Sequence, residues 1–433
     1  MKNSLQVITL GCSKNTVDTE HLLGQLYDNY TIVPEGDSSD VDFILLNTCG
    51  FIGDAKEESI NAILEAVERK KRGEVGKIIV FGCLSQRYSS EMPELIPEVD
   101  GWFGARDLAP VLRALGVEPS AADAHRRYLS LPGKGYAYLK ISEGCDRRCS
   151  YCAIPHIRGV HRSVPVEKLV SEAEFLASKG VKELVVIAQD TTYYGLDLYG
   201  HRALAELLQK LSEVPGIEWL RIHYSYPADF PDDVLDQMAS NPKVCKYLDI
   251  PLQHVSDSVL KCMRRNVDGQ WTRNLIKTMR QRVPGVALRT TMMVGHPGEG
   301  DKEFDELLEF ITEAGFERLG AFAYSEEEGT YGAEHFEDEV PFEIKQSRLD
   351  SLMELQRNVS LNFNRSRVGS VEKVMVDDYV DGILVCRSQY ESPEVDGEIL
   401  VRYEGRDASE LIGNFIDVRI DGADVYDLIA SRI

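Results

Sequence analysis

The sequence predicts an α/β protein with an N-terminal doubly wound parallel sheet, a central partial (β/α)6 barrel and a small all-β barrel. Two observations indicate this fold class. Apolar, β-rich runs without alternation recur between helical segments, as expected for strands buried on both faces of a parallel sheet. After residue 365 the pattern changes to short β-rich runs separated by turn residues. A length of 433 residues suits two or three such domains.

The first predicted domain, residues 1–115, repeats a strand–helix unit three times. Its strands are predicted within 5–12, 42–52 and 77–87, and its helices over 15–27, 55–71 and 90–95. The first run, LQVITLGC, resembles a lipoprotein cleavage site, but the stretch before it is too short and too polar for a signal. Residues 116–135 lack periodicity and contain Pro, Gly and charge, so they are predicted to be a linker.

The second predicted domain, residues 136–365, alternates strands and helices. Six strands are predicted within 136–145, 183–190, 219–227, 247–254, 287–298 and 318–330, with helices over 166–178, 203–211, 271–281, 301–314 and 342–365. Repeated units with polar groups after the strands suggest a barrel whose site is built from the strand ends. Six units are too few for the eight of a closed barrel, which predicts an open one.

The third predicted domain, residues 366–433, is a β-barrel. Its strands are predicted within 372–379, 382–389, 397–403, 414–423 and 425–430. The domain has seven Lys and Arg against fifteen Asp and Glu, a net charge of −8. An acidic barrel repels phosphates and attracts a basic partner, although acidic charge also serves solubility.

Composition limits the function classes. The net charge of −23 argues against a protein whose main contact is a nucleic-acid backbone, because phosphate binding needs clustered Lys and Arg. No apolar run is long enough to span a membrane. Nine cysteines, an odd number, indicate reduced thiols and a cytoplasmic location, where Cys clusters are more often metal ligands or catalytic groups than disulfides.

Three cysteines, Cys12, Cys49 and Cys83, each follow a predicted strand of the first domain. The ends of parallel strands lie along one edge of a sheet, where open α/β sheets bind ligands. Residues distant in sequence are therefore expected to meet there as shared ligands. The alternative is that they are three small buried hydrophobes, since free Cys is commonly buried.

The stretch EGCDRRCSYCAIP contains Cys145, Cys149 and Cys152 at the spacing C-x3-C-x2-C. Three thiolates favour zinc or an iron–sulfur cluster. Structural zinc requires four ligands. His156 is the nearest candidate for the fourth ligand, but it follows Pro155, which changes the backbone direction after the three-Cys loop. A 4Fe-4S cluster held by three thiolates leaves one iron open at the mouth of the barrel, so the cluster is favoured and zinc remains the alternative.

This spacing, with the aromatic Tyr151 before the third Cys, resembles the radical S-adenosylmethionine (SAM) superfamily. GCSKNTVDTE, NTCGFI, FGCLSQR, ISEGCDRRCSYCAIPHIRG, IPLQHVSDSVLKCMRR and MMVGHPGE resemble the methylthiotransferases within it, and so does the domain order, which ends in a TRAM-type barrel. The resemblance implies that Cys145, Cys149 and Cys152 hold a 4Fe-4S cluster that binds and reductively cleaves SAM. It implies an auxiliary 4Fe-4S cluster on Cys12, Cys49 and Cys83 that handles sulfur.

Methylthio insertion at an unactivated C–H bond has no leaving group, so it requires radical chemistry supplied by cofactors. The resemblance implies that SAM is both radical source and methyl donor, with an external low-potential electron donor. The sequence does not identify the sulfur donor.

The segment around Lys14, Asn15 and Asp18 resembles the branch that acts on a ribosomal protein. That branch modifies the β-carbon of an aspartate in protein twelve of the small subunit. Both this resemblance and the acidic terminal domain favour a basic ribosomal protein as substrate. Two alternatives remain: a tRNA adenosine methylthiotransferase, and an iron–sulfur electron carrier or nucleic-acid-binding module without chemistry of its own.

SAM is expected to lie across the strand ends of the partial barrel. The expected contacts are Tyr151, Gln189, Arg221, Ser225, Gln253, Val294 and Glu299. Other polar residues are interpreted more simply. Arg264 and Arg265 are expected to complement a helix C-terminus, the alternative being contact with substrate or cofactor. Glu326–Glu328 are expected to form a solvated loop, the alternative being attraction of a basic substrate tail, and Tyr193–Tyr194 to pack in the core or line the cavity. Cys245, Cys262 and Cys386 are assigned no role.

Overall fold

The computed structural model describes residues 2–37, 39–123, 125–130, 133–405 and 407–433. Ala124, Leu131 and Pro132 of the predicted linker, and Arg406 of the terminal domain, lie outside the described residues. Within these ranges no helix combines the length and the apolar character that crossing a membrane requires.

The N-terminal part is a five-stranded parallel sheet in the order β2-β1-β3-β4-β5. The strands are β1 (Asn3–Thr9), β2 (Tyr30–Val33), β3 (Val41–Thr48), β4 (Val75–Gly82) and β5 (Gly101–Trp102), and the helices are α1 (Ser13–Leu26), α2 (Gly53–Lys71), α3 (Cys83–Arg87), α4 (Met92–Leu95) and α5 (Ala109–Ala114). Ile44 and Leu46 pack on the α2 side, and Leu45 packs on the side of α1 and α5. Helices therefore cover both faces, and the predicted doubly wound fold is confirmed.

The central part is a parallel sheet of six strands that pair in chain order without closing. Its strands are β6 (Tyr136–Lys140), β9 (Glu183–Ile187), β10 (Trp219–Ile222), β11 (Val244–Asp249), β12 (Ala287–Val294) and β13 (Arg318–Ala323); β7 (Ser142–Glu143) and β8 (Arg162–Ser163) form a small antiparallel pair. The partial barrel predicted from six repeats is confirmed.

Helices surround this sheet and bury a large apolar core against it. They are α6 (Ile154–Arg158), α7 (Val166–Ser178), α8 (Leu196–Tyr199), α9 (Leu204–Ser212), α10 (Asp232–Ser240), α11 (Asp257–Cys262), α12 (Gly269–Arg282), α13 (Asp301–Ala314), α14 (Tyr331–His335) and α15 (Phe342–Ser366), with a 3-10 turn at Thr191–Tyr193. The long helix α15 packs against β13 at the open edge of the sheet.

The C-terminal part is a closed five-stranded barrel in the order β14-β15-β16-β18-β17, as predicted. Its strands are β14 (Val371–Val380), β15 (Ile383–Arg387), β16 (Ile399–Arg402), β17 (Phe415–Ala423) and β18 (Leu428–Arg432). β16 and β18 are parallel and the other pairs are antiparallel.

A buried charge cluster attaches the terminal barrel to the central sheet. Glu183 of β9 is fully buried and pairs with Arg221 of β10 at 2.7 Å and with Arg387 of β15 at 2.5 Å. Arg221 also donates to the carbonyl oxygens of Ser388 and Gln389. Arg221 was predicted to contact SAM. That prediction is wrong, because its guanidinium is committed to this contact between domains.

Candidate functional site

The C-terminal strand ends of the two parallel sheets face one cavity of about 330 Å³. Its lining includes all six cysteines of the two predicted triads. The lining residues are Cys12, Lys14, Cys49, Phe51, Cys83, Cys145, Arg147, Cys149, Tyr151, Cys152, Ile154, Arg158, Gln189, Tyr224, Ser225, Tyr226, Pro251, Gln253 and Arg265. The parallel topology therefore brings together residues more than 100 positions apart in the chain, as expected for strand ends along a shared edge.

The N-terminal triad lies at three adjacent strand ends. Cys12 caps α1 after β1, Cys49 follows β3 directly, and Cys83 is the first residue of α3 after β4. The turn before Cys12 needs glycine: Gly11 has φ +93°, and a Cβ there would lie 2.7 Å from Cys49 Cβ. This close approach packs the Cys12 turn against Cys49.

The second triad lies in the loop between β7 and α6. The loop begins at Gly144, whose φ is +80° and whose added Cβ would lie 2.1 Å from the carbonyl oxygen of Val160. Cys145 N–H donates to the carbonyl oxygen of Gly159 at 3.0 Å, and Ser150 N–H donates to that of Met263 at 3.0 Å. These backbone hydrogen bonds fix the loop at the mouth of the barrel.

Burial disfavours thiolates at this site unless a cation is bound. It raises the pKa of Cys83 to about 11 and that of Cys145 to about 12, and the pKa values of Cys49 and Cys152 are raised for the same reason. Neighbouring thiolates of the same triad raise these values further. Metal ligation holds such thiols deprotonated.

The donors fit clusters better than zinc. All nine cysteines are free, and each triad offers only sulfur. Among the described residues, no three Cys, His, Asp or Glu side chains are arranged to hold a single metal ion. His156, the fourth zinc ligand considered, is exposed and does not line the cavity. Three thiolates without a fourth ligand suit a 4Fe-4S cluster with one open iron.

Arg158 of α6 links the barrel to the N-terminal triad. It is buried, and its Nε donates to Cys83 Sγ at 3.2 Å across the contact between domains. Its Nη2 donates to Asn15 Oδ1 at 2.5 Å, and its Nη1 pairs with Asp18 at 2.7 Å and Glu143 at 3.1 Å. One arginine from the barrel therefore positions a sulfur of the N-terminal domain.

Two glutamines of the cavity lining each have a buried amide oxygen that accepts no hydrogen bond from a described residue. Burial raises the pKa of Glu143, but Lys140 and Arg158 outweigh it and lower the pKa to about 2, so Glu143 stays ionised and accepts from Gln189 Nε2 at 2.6 Å. Among the described residues, Gln189 Oε1 and Gln253 Oε1 have no hydrogen-bond donor. Gln253 also has φ +73°, a strained value typical of binding sites. Both oxygens suit the N–H groups of a bound ligand.

Two arginines flank Tyr226 at the second triad. Arg147 lies 4.0 Å and Arg265 4.6 Å from its ring centroid, and Arg265 Nη1 donates to the hydroxyl of Tyr151 at 2.9 Å. The interpretation of Arg265 as a helix-end residue is wrong, because its side chain turns into the cavity. Arg147 and Tyr226 were missed. Their only signal is adjacency, since Arg147 lies inside the three-Cys loop and Tyr226 follows Ser225.

The cavity is cationic although the chain is acidic. Lys14, Arg147, Arg158 and Arg265 line it, and none of the described lining residues is Asp or Glu. A cationic cavity suits anionic clusters and ligands that carry carboxylates.

Of the predicted SAM contacts, Tyr151, Gln189, Ser225 and Gln253 line the cavity. Val294 and Glu299 do not. Val294 is fully buried in the barrel core. Glu299 pairs with Arg348 of α15 at 2.8 Å and with His254 at 3.2 Å. Its carboxylate therefore links α15 to the strand end and does not point into the cavity.

The expectation that Glu327 lies in a solvated loop is wrong. Glu327 is buried and pairs with Lys56 of α2 and Arg87 of α3, both at 2.9 Å, which ties the end of the barrel to the N-terminal domain. Glu326 and Glu328 beside it are exposed, as expected. Tyr194 is buried in the core.

Three family descriptions match parts of the chain. They are the Uncharacterized protein family UPF0004 over residues 4–104, the Radical SAM superfamily over 139–311 and the TRAM domain over 368–433. Over its full length the chain is similar to proteins named ribosomal protein uS12 methylthiotransferase RimO. It is 48% identical over 431 residues to that of Bacteroides thetaiotaomicron, covering 99% of this chain and 98% of that protein. It is 49% identical over 434 residues to that of Porphyromonas gingivalis, covering 100% and 99%.

Solved structures share the fold at low sequence identity. The radical SAM methyltransferase TsrM from Kitasatospora setae superposes with a TM-score of 0.56 at 12% identity, covering 96% of this chain and 85% of that one. The cobalamin-dependent radical SAM enzyme OxsB gives 0.54 at 13%, covering 82% and 56%. These likenesses support the architecture only.

Proposed function

The chain belongs to the family of ribosomal protein uS12 methylthiotransferases, and we propose that it attaches a methylthio group to the β-carbon of an aspartate of uS12. One structural observation carries the proposal: two cysteine triads from different domains line one cavity. Radical formation and sulfur delivery need such proximity, because a carbon radical must meet its sulfur before it meets solvent.

The two triads hold the two clusters. Cys145, Cys149 and Cys152 are the ligands of the cluster that binds SAM, and Cys12, Cys49 and Cys83 are those of the auxiliary cluster. When bound, the clusters and SAM supply the electron, the radical, the sulfur and the methyl group that no side chain provides.

The chain itself binds, orients and excludes water. Gln189 and Gln253 offer acceptor oxygens to the N–H groups of SAM. The aromatic and aliphatic lining, which includes Phe51, Ile154 and Pro251, keeps water from the reacting carbon. Arg265 Nη1 donates to the hydroxyl of Tyr151, and Arg265 Nη2 donates to the carbonyl oxygen of Pro251 at 2.5 Å. Arg265 therefore holds the loop of the second triad against the strand end at Pro251.

Charge suits a basic protein substrate. The chain carries −23 and its terminal barrel −8, which favours approach of a basic ribosomal protein over approach of a nucleic-acid backbone. An external low-potential reductant supplies electrons, and the reaction takes place in the cytoplasm, where the substrate protein and reduced thiols coexist.

The test uses the anaerobically reconstituted protein with SAM and a reductant, offered purified uS12 and bulk tRNA in separate reactions. Mass spectrometry is expected to find a methylthio group on one aspartate of uS12 and none on tRNA. Modification of tRNA adenosine with unmodified uS12 would make the chain a tRNA enzyme. SAM cleavage without modification of either substrate would also refute the proposal.

A further inference from the structure

Lys14 is a buried cation at the boundary of the two triads. It lies in the first turn of α1, two residues after Cys12, with only 8% of its surface exposed. Its ammonium sits over the ring of Tyr224, which follows β10 in the barrel. Both residues line the cavity, and Tyr224 has the strained value φ 57°. Lys14 thus reaches from the N-terminal domain to the strand ends of the barrel.

Lys14 differs from the other cations of the cavity in lacking a polar partner. Arg147 donates to Asp190 at 2.8 Å, and Arg158 pairs with Asp18 at 2.7 Å. Arg265 donates to a tyrosine hydroxyl and a backbone carbonyl. No hydrogen bond or ion pair links Lys14 Nζ to any described residue. An ammonium at the cavity wall without a neighbouring anion favours an anionic ligand, and one aromatic face compensates only part of its charge.

We propose that Lys14 binds the side-chain carboxylate of the substrate aspartate, and this inference rests on the proposed function. In aspartate the carboxylate is bonded directly to the β-carbon. An ion pair with Lys14 therefore fixes the reacting carbon one bond away, beside the triad that contains Cys12. The same contact discriminates aspartate from asparagine, because a neutral amide leaves the ammonium uncompensated.

The cavity offers a second cation for the carboxylate of SAM. Arg147 lies inside the loop of the second triad, and among the described residues its Nη2 is buried without an acceptor. An arginine fork beside the SAM-binding cluster suits the carboxylate of SAM. Lys14, on the opposite domain, remains for the carboxylate of the protein substrate.

The test measures binding by the reconstituted holoenzyme in the presence of SAM, before reductant is added. Titration calorimetry compares uS12 with uS12 in which the target aspartate is replaced by asparagine. The enzymes are the natural chain, Lys14→Met, Lys14→Gln and the control Lys277→Met, which removes an exposed lysine of α12. Iron content and SAM affinity are measured for each enzyme.

Lys14→Met and Lys14→Gln are expected to bind uS12 at least about 30-fold more weakly, the usual effect of removing one partner of a buried charge pair. Both are expected to bind the asparagine form as the natural chain does, with unchanged iron content and SAM affinity. Lys277→Met is expected to match the natural chain throughout.

Other outcomes overturn the inference. An equal loss for both substrate forms would show that Lys14 does not contact the carboxylate. Weaker SAM binding would assign Lys14 to SAM, and loss of iron would make it a counter-ion of the auxiliary cluster. Unchanged affinity would leave Lys14 without this role. If the natural chain does not bind uS12 at all, the result refutes the proposed function and not only the role of Lys14.

Discussion

Replacing Arg158 by methionine tests how the two domains hold their triads together. The change removes hydrogen bonds or ion pairs to Cys83, Asn15, Asp18 and Glu143. It leaves the carboxylates of Asp18 and Glu143 buried with Lys140 as their one remaining cation among the described residues. Breaking a buried pair from one side costs about 3–5 kcal/mol. The contact between the domains is therefore expected to open more easily by that amount.

Hydrogen exchange of the α1 and α6 amides reports this opening directly, without assuming two-state unfolding of a three-domain chain. The matched control is Arg162→Met, which removes an exposed arginine of β8. The auxiliary cluster is also expected to shift to a lower reduction potential, because a hydrogen bond to its ligand sulfur is lost. An opening free energy that falls by less than about 1 kcal/mol, or by no more than in the control, would refute the reasoning.

Three further changes have defined outcomes. Glu183→Gln leaves two buried arginines without their shared carboxylate and is expected to lower the free energy of opening between β9 and β15 by about 3–5 kcal/mol in hydrogen exchange, with early release of the terminal barrel to protease; a decrease under about 1 kcal/mol would contradict this. Glu327→Gln is expected to increase proteolysis between the N-terminal domain and the barrel, and unchanged cleavage would show that its ion pairs contribute nothing. Burial lowers the folded pKa of His223 to about 3, so the unfolded state binds more protons below about pH 6.5. As the pH falls below about 6.5, the contribution of His223 to stability is therefore expected to decrease by about 1.4 kcal/mol per pH unit, and His223→Gln to make the acid-induced loss of stability less steep; an unchanged pH dependence would contradict the assignment.

The fold class follows from the sequence because its strands are apolar and regularly spaced. The six strands of the partial barrel are predicted from β-rich runs without alternation, such as ELVVI and ALRTTMMV. Short elements were missed. The helix Asp232–Ser240 buries only Val234, Leu235 and Met238, and the edge strand Tyr30–Val33 has only four residues, so each shows few apolar repeats. Such elements form because neighbouring elements pack on them.

Only part of the site could be predicted from the sequence, because sequence shows where a residue lies along a strand but not where its side chain points. Position at a strand end is visible in the sequence and brought the cysteines, Gln189 and Gln253 to one cavity. The direction of a side chain is not visible. Arg221 lies on a strand that leads to the site, yet its guanidinium is bound by the terminal barrel. Arg158 and Lys14 face the cavity only because two domains meet there, and contacts between domains leave no local pattern.

The most direct measurement is the iron and sulfide content of the anaerobically reconstituted chain against the variant Cys12→Ala/Cys49→Ala/Cys83→Ala. Each cubane carries four irons, so the account predicts about eight in the natural chain and about four in the variant, with SAM cleavage to 5′-deoxyadenosine retained and methylthiolation lost. An unchanged iron content would contradict the account, because the first triad would then bind no cluster and the cavity would have no second source of sulfur.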